Sequence, residues 1–174
     1  MNDGATNSHL LTGWRRWVFG RRPKFTVMRL LGLIALSGVL ITFVFIPIRV
    51  TGISMIPTYR DGRINLVNKL AYRRQPPQRG DVVAIRTKGQ RALLLKRVIG
   101  LPGEEVVFRE GVVEIDGELL SEPYLKGVRP APWNERRDLG PDEYFVVGDN
   151  RTMPAAYHEH GAVQRWRIAG KAVF

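Results

Sequence analysis

Residues 30 to 48, LLGLIALSGVLITFVFIPI, contain no charged side chain and only two hydroxyl groups, Ser37 and Thr42. As a helix rising about 1.5 Å per residue, this run approaches the ~30 Å hydrocarbon core of a bilayer. A chain that carries it must bury it in lipid or in a core of its own. The preceding stretch, WRRWVFGRRPKFTVMR, favours lipid. It holds Arg15, Arg16, Arg21, Arg22, Lys24 and Arg29, and clustered cations stay on the cytoplasmic side of a membrane. Trp14 and Trp17 suit its interface. A cleavable signal peptide has a shorter apolar region closed by a small-x-small site, whereas this run ends in Pro47, Ile48 and Arg49. The expected organisation is a basic cytoplasmic tail (1–29), a transmembrane anchor (30–48) and a domain outside the plasma (inner) membrane (49–174).

Charge and compartment agree with this. The formal net charge is +11, of which residues 1–29 supply +5 and the remainder +6. A basic surface suits nucleic acid or anionic lipid heads, and the apolar run favours lipid. The expected partners therefore include the bilayer and exclude nucleic acid. With no cysteine in the chain, neither disulfides nor thiolate chemistry enter. No metal site or cofactor is expected.

From Val50 onward, short apolar runs alternate with Gly, Pro and Asp. DVVAI, ALLLKRVIG, EEVVFREGVVEIDGELL, EYFVVGD and IAGKAVF read as strands. REG and IDGE read as hairpin turns. LVNKLAYRRQ is the one helical turn expected, and LKGVRPAPWNERRDLGPDE reads as a surface loop. The fold class is mainly β: a transmembrane helix, then a β-sheet domain with a smaller β lobe over about 104–140.

The chemistry turns on GISMIPTYRDG, residues 52 to 62. Taken alone, Ser54 there is a turn residue, because Ser, Pro and Gly are common in turns. As a nucleophile it needs a base beside it. His9 lies in the basic tail, on the far side of the anchor. His158 and His160 sit in a polar stretch near the end of the chain and read more naturally as surface groups. Lys96, inside the apolar ALLLKRVIG, is the better candidate. Strand alternation puts it with Leu94 and Val98, away from Arg97. A lysine ordinarily titrates near ~10.4, and burial disfavours its charged form. Lowering that value by ~3 units costs about 4 kcal/mol, within reach of a rigid apolar setting. The competing reading is an edge-strand lysine whose ammonium reaches water.

SMIPT, GDVVAI, KRVIGLPGE and GDNR come one after another in this order beyond the anchor. From about Val50 to Phe174 the chain resembles the type I signal peptidase family, membrane-bound serine peptidases with a Ser-Lys dyad. The resemblance implies a β-sheet peptidase domain that removes signal peptides from exported preproteins through an acyl-enzyme. It implies Ser54 as nucleophile and Lys96 as general base. Arg97 would pair with Asp149 and brace the strand of Lys96. Val50, Met55, Leu94 and Leu95 would wall pockets that accept small residues (the A-x-A pattern). One oxyanion donor would be the backbone N–H of Ser54; a hydroxyl that many relatives carry two residues earlier is replaced by Gly52.

The resemblance weakens after GDNR. Where the family continues with two variable residues and Ser-x-Asp-Ser-Arg, this chain has Pro154, Ala155, Ala156, Tyr157 and His158, with Gly161 retained. The absent serine and aspartate normally support the catalytic lysine, leaving Thr152 or Tyr157 as candidate replacements. Two alternatives arise: a weak or inactive anchored scaffold that binds signal peptides, or a dedicated pilin or conjugation peptidase. A self-cleaving repressor with a Ser-Lys fold would need a DNA-binding domain that residues 1–29 are too short to form.

Overall fold

The structure, a computed structural model, describes residues 23–87, 92–125, 127–157 and 161–173. Two compact units divide it, residues 1–43 and 44–174. His9, Trp14, Trp17 and the first four arginines of the basic tail lie outside the described residues, as do His158 and His160.

Helix α1 (Pro23–Val44) opens on Pro23, whose fixed φ and missing N–H suit a first helical position. Its segment Lys24–Val44 has a mean hydropathy of 2.2 and no residue of its most apolar stretch is buried. The helix is long and apolar enough to cross a membrane. It differs from the apolar run at both ends, starting before Leu30 and stopping at Val44. The run's last residues instead form strand β1 (Phe45–Arg49). Pro47 explains the stop, because it lacks the N–H that a continuing helix would require.

After β1 come β2 (Ile64–Asn68), β3 (Val82–Arg86), β4 (Leu93–Gly100), β5 (Glu105–Arg109), β6 (Val112–Ile115) and β7 (Glu118–Leu119). Next are β8 (Glu135–Asp138), β9 (Glu143–Val147), β10 (Gly161–Gln164) and β11 (Ile168–Val173). Among the described residues, seven strands form one sheet in the order β1-β2-β11-β3-β4-β9-β10. The other four form the smaller lobe, β7-β6-β5-β8. Its two tight hairpins fall at REG and IDGE, where Glu110 and Gly111, then Asp116 and Gly117, all have positive φ. That pairing of left-handed residues matches the twist of the flanking strands.

Alternation along β3 separates two cores. Val82 and Ala84 pack with Met55, Val67 and Leu95, while Val83 and Ile85 pack with Val98, Val146 and Ile168 on the opposite face. A third core joins the lobe to the main sheet, bringing Val106, Phe108 and Trp133 against Ile99, Phe145 and Val147.

Two sequence expectations fail here. LVNKLAYRRQ is not helical; Leu66 and Val67 belong to β2, hydrogen-bonded between β1 and β11. The side chain of Asn68 then accepts the N–H of Leu70 at 2.8 Å, turning the chain out of the strand. The polar stretch after Leu125 contains β8, whose charged residues conceal a strand paired with β5. Trp133 and Leu139 on either side of it are buried. The Phe108 ring stacks on Trp133 at a centroid distance of 3.8 Å. We expect Phe108→Ala to cost about 3–5 kcal/mol, measurable as a shift in the denaturant midpoint of the detergent-solubilised protein.

Candidate active site

Ser54 lies in a turn closed by backbone bonds, with Ile56 N–H on the Ile53 carbonyl at 3.2 Å and Tyr59 N–H on that of Met55 at 2.9 Å. The base of the loop is held by Val50 N–H to the Arg63 carbonyl (2.8 Å) and Gly62 N–H to that of Val50 (2.9 Å). Met55 and Tyr59 are buried and tie the turn to the core, leaving Ser54 half-exposed beside them.

GDNR supplies the other side of this turn. The Asn150 N–H donates to the Ser54 carbonyl at 2.9 Å, and its side-chain amide donates to the Ile53 carbonyl at 3.1 Å. Gly148 runs so close beneath that a Cβ there would collide with the Ser54 carbonyl. The glycine is needed for this approach of two backbones, not for an unusual φ.

Lys96 lies on β4 opposite Val83 of β3, with 2% of its surface exposed. The next residue, Arg97, makes the main electrostatic tie. Its Nε and Nη2 donate to Asp149 Oδ1 and Oδ2 at 2.8 and 2.5 Å, and its Nη1 donates to the Gly80 carbonyl at 2.6 Å. The Thr58 hydroxyl, from the Ser54 turn, also donates to Asp149 Oδ2. Asp149 is fully buried. Burial opposes the Arg97 charge, but the hydrogen bonds and charge of Asp149 outweigh it and hold its pKa above the ordinary arginine value. Thus all four sequence motifs meet: SMIPT through Thr58, GDVVAI through Gly80, KRVIG through Arg97 and GDNR through Asp149.

Val50, Ser54 and Met55 face Leu93, Leu94 and Leu95 across a narrow groove. About 40 Å³ of it is open to water-sized groups. Val50, Met55 and Leu95 are buried and Leu94 is half-buried.

Residues 24–174 match the profile of the family described as "Signal peptidase, peptidase S26". The chain belongs to that family. Signal peptidase I V of Bacillus subtilis is 31% identical over 73% of this chain and 83% of its own length. Probable signal peptidase I-2 of Synechocystis is 34% identical over 68% of this chain and 57% of its own length. A solved signal peptidase I from Enterococcus faecalis aligns with a TM-score of 0.46 at 29% identity, over 56% of this chain and 97% of that one. The function is that of a signal peptidase, and the enzyme is a serine peptidase.

This peptidase carries a second buried ion pair that its sequence did not reveal. Arg151, 2% exposed, donates through Nη1 to Glu122 Oε2 at 3.1 Å, with Nη2 on Oε1, and through Nε to the Gly148 carbonyl at 3.1 Å. Tyr124 donates to Glu122 Oε1 at 2.5 Å, while its ring lies 4.0 Å from the Arg97 guanidinium carbon. Burial, then the Glu122 carboxylate, push the Tyr124 phenol far above its ordinary pKa, so it remains a proton donor. Burial likewise raises Tyr59 to about 12; Arg97 pulls against that rise and Asp149 adds to it. Glu122 and Tyr124 had no sequence signal, since they meet Arg151 and Arg97 only in the fold, whereas Thr58 lay inside SMIPT without its Asp149 partner being readable there.

The divergent stretch turns outward. The Thr152 hydroxyl donates to Asn150 Oδ1 at 2.6 Å, and Tyr157 is 75% exposed. Pro154 and Ala156 are exposed, and Ala155 packs on the core beneath the lobe. Among the described residues, no three His, Cys, Asp or Glu side chains gather to hold a metal.

Two outcomes are expected. Asp149→Ala strands the buried Arg97 guanidinium and costs about 3–5 kcal/mol, measured by denaturant unfolding. Gly148→Ala displaces the Ser54 turn and lowers kcat more than it lowers the unfolding midpoint, a separation visible when both are measured on one preparation.

Proposed function

We propose that this signal peptidase cleaves exported preproteins through a Ser54–Lys96 dyad. Ser54 Oγ attacks the carbonyl at the end of the signal peptide while its proton passes to Lys96 Nζ. Lys96 returns that proton to the leaving amine, forming the acyl-enzyme, and then takes one from the water that attacks the ester. The Ser54 N–H stabilises the oxyanion. Val50, Met55, Leu94 and Leu95 confine the residues before the cut to Ala or Gly.

The observation that carries this reading is the enclosure of a lysine at 2% exposure beside a guanidinium already committed to Asp149. Withdrawal from water is one of the routes by which a lysine can serve a serine as general base. The substrate's path has separate support. Strand β9 pairs with β4 only from Arg97 to Gly100, leaving the outer edge of Leu93–Leu95 without a strand partner among the described residues. An extended peptide can add there as a strand, with alternate side chains entering the groove.

Helix α1 then serves as the anchor, its basic N-terminal flank in the cytoplasm and residues 44–174 on the outer side of the plasma (inner) membrane. The substrate's own apolar segment would end near that level. No nucleic acid takes part.

Ser54→Ala and Lys96→Ala should each lower preprotein cleavage by about 10²–10⁴-fold or more, and the double variant should be no slower than the worse single one. Cleavage by purified protein in detergent, with the product's new N-terminus read by mass spectrometry, checks this. Cleavage surviving both substitutions would refute the dyad. Wild-type protein that binds preprotein without cutting would favour the scaffold reading.

A further inference from the structure

The sheet's register shows where the chain enters residues 44–174. Phe45 lies opposite Asn68, which lies opposite Lys171, and Lys69 N–H donates to the Val44 carbonyl at 2.8 Å. Strand β11 continues past that level to Ile168, opposite Ile85 of β3. The turn after β2, the turn before β11 and the end of β3 thus share the entry end of the sheet.

Cations crowd this end. Arg73 and Arg74 are exposed after β2, and Arg86 is exposed at the end of β3. Arg165 donates to the Tyr72 carbonyl at 2.8 Å and lies 5.5 Å from the Tyr72 ring centroid. Arg86 donates to the Trp166 carbonyl at 3.0 Å, and Arg167 donates to the Arg86 carbonyl through two nitrogens. These bonds knit the three segments into one shelf, from which the Trp166 indole projects with 68% exposure. The nearby Asp81 carboxylate is engaged by Lys171 and Tyr72.

We propose that this shelf binds the phosphates of anionic phospholipids, with Trp166 set into the interface. The proposal rests on the reading that helix Pro23–Val44 spans a bilayer. Covalent reach makes the contact natural: Phe45 comes directly after the helix, and Lys69 is hydrogen-bonded to its last residue. Tryptophan favours the headgroup level, and arginines beside it meet lipid phosphates. The shelf thereby holds the Ser54 groove at a fixed height above the lipid, and the lipid it prefers is anionic.

Full-length protein in vesicles of phosphatidylcholine, alone or mixed with phosphatidylglycerol, tests this through quenching of tryptophan by brominated lipid. The Trp166 signal is the difference between wild type and Trp166→Phe. That difference should be larger in the mixed vesicles, decline with added salt and fall in a triple variant, Arg73→Gln with Arg74→Gln and Arg167→Gln. Each charge removed should weaken the attraction about fivefold. The triple variant should still cleave a short soluble peptide in detergent at the wild-type rate, which separates loss of lipid contact from misfolding.

Equal Trp166 quenching in both lipids, or quenching unchanged in the triple variant, would overturn the proposal. So would a triple variant slowed on preprotein equally in both vesicle types with quenching intact, which would assign the shelf to the polypeptide substrate. Release of the wild-type protein from vesicles by alkaline carbonate would remove the anchor reading and the shelf with it. Quenching needs no catalysis, so the test stands even if the Ser54–Lys96 assignment fails.

Discussion

The two-point contact between Arg97 and Asp149 is the constraint on which the site's geometry depends. Neither group is stable in a protein interior alone, and each satisfies the other with two hydrogen bonds. Because Arg97 comes right after Lys96 and Asp149 precedes Asn150, the pair ties the lysine strand to the residue that holds the Ser54 carbonyl. Thr58 joins from the serine turn itself. An error in the pairing would displace both sides of the groove together.

The smaller lobe extends that constraint. Glu122 and Tyr124, on the segment between its strands β7 and β8, engage Arg151 and cover the face of Arg97. GDNR is thus gripped from both directions, by the main sheet through Asp149 and by the lobe's segment through Arg151. This explains why the stretch beyond Arg151 can diverge while the serine turn keeps its bonds. Pro154 to Tyr157 lie outward of the network, and only Ala155 contributes to a core.

Much of the fold was legible because its strands obey local rules. DVVAI and ALLLKRVIG alternate between two cores, and REG and IDGE carry the residues that left-handed turns require. β2 and β8 escaped for opposite reasons. LVNKLAYRRQ offers apolar residues at a spacing that also suits a helix, and only β1 and β11 on its two sides select the strand. ERRD carries no apolar signal, and its strand exists because β5 offers an edge to pair with. At the candidate site, the motifs pointed to Ser54, Lys96, Arg97 and Asp149 and contained Thr58, while the bond from Thr58 to Asp149 and the parts of Glu122 and Tyr124 are visible only after folding.

By itself the amino-acid order determined the apolar helix, the mainly β character of residues 45–174 and the four motifs, because hydropathy, turn chemistry and motif content are properties of neighbouring residues. Tertiary structure decided where the helix yields to a strand, which carboxylate meets which guanidinium, and how wide the groove beside Ser54 is. Those outcomes depend on segments as distant as Thr58 and Asp149 arriving at one place. Only the closed fold specifies that arrival, since buried charges and backbone donors must all find partners at once.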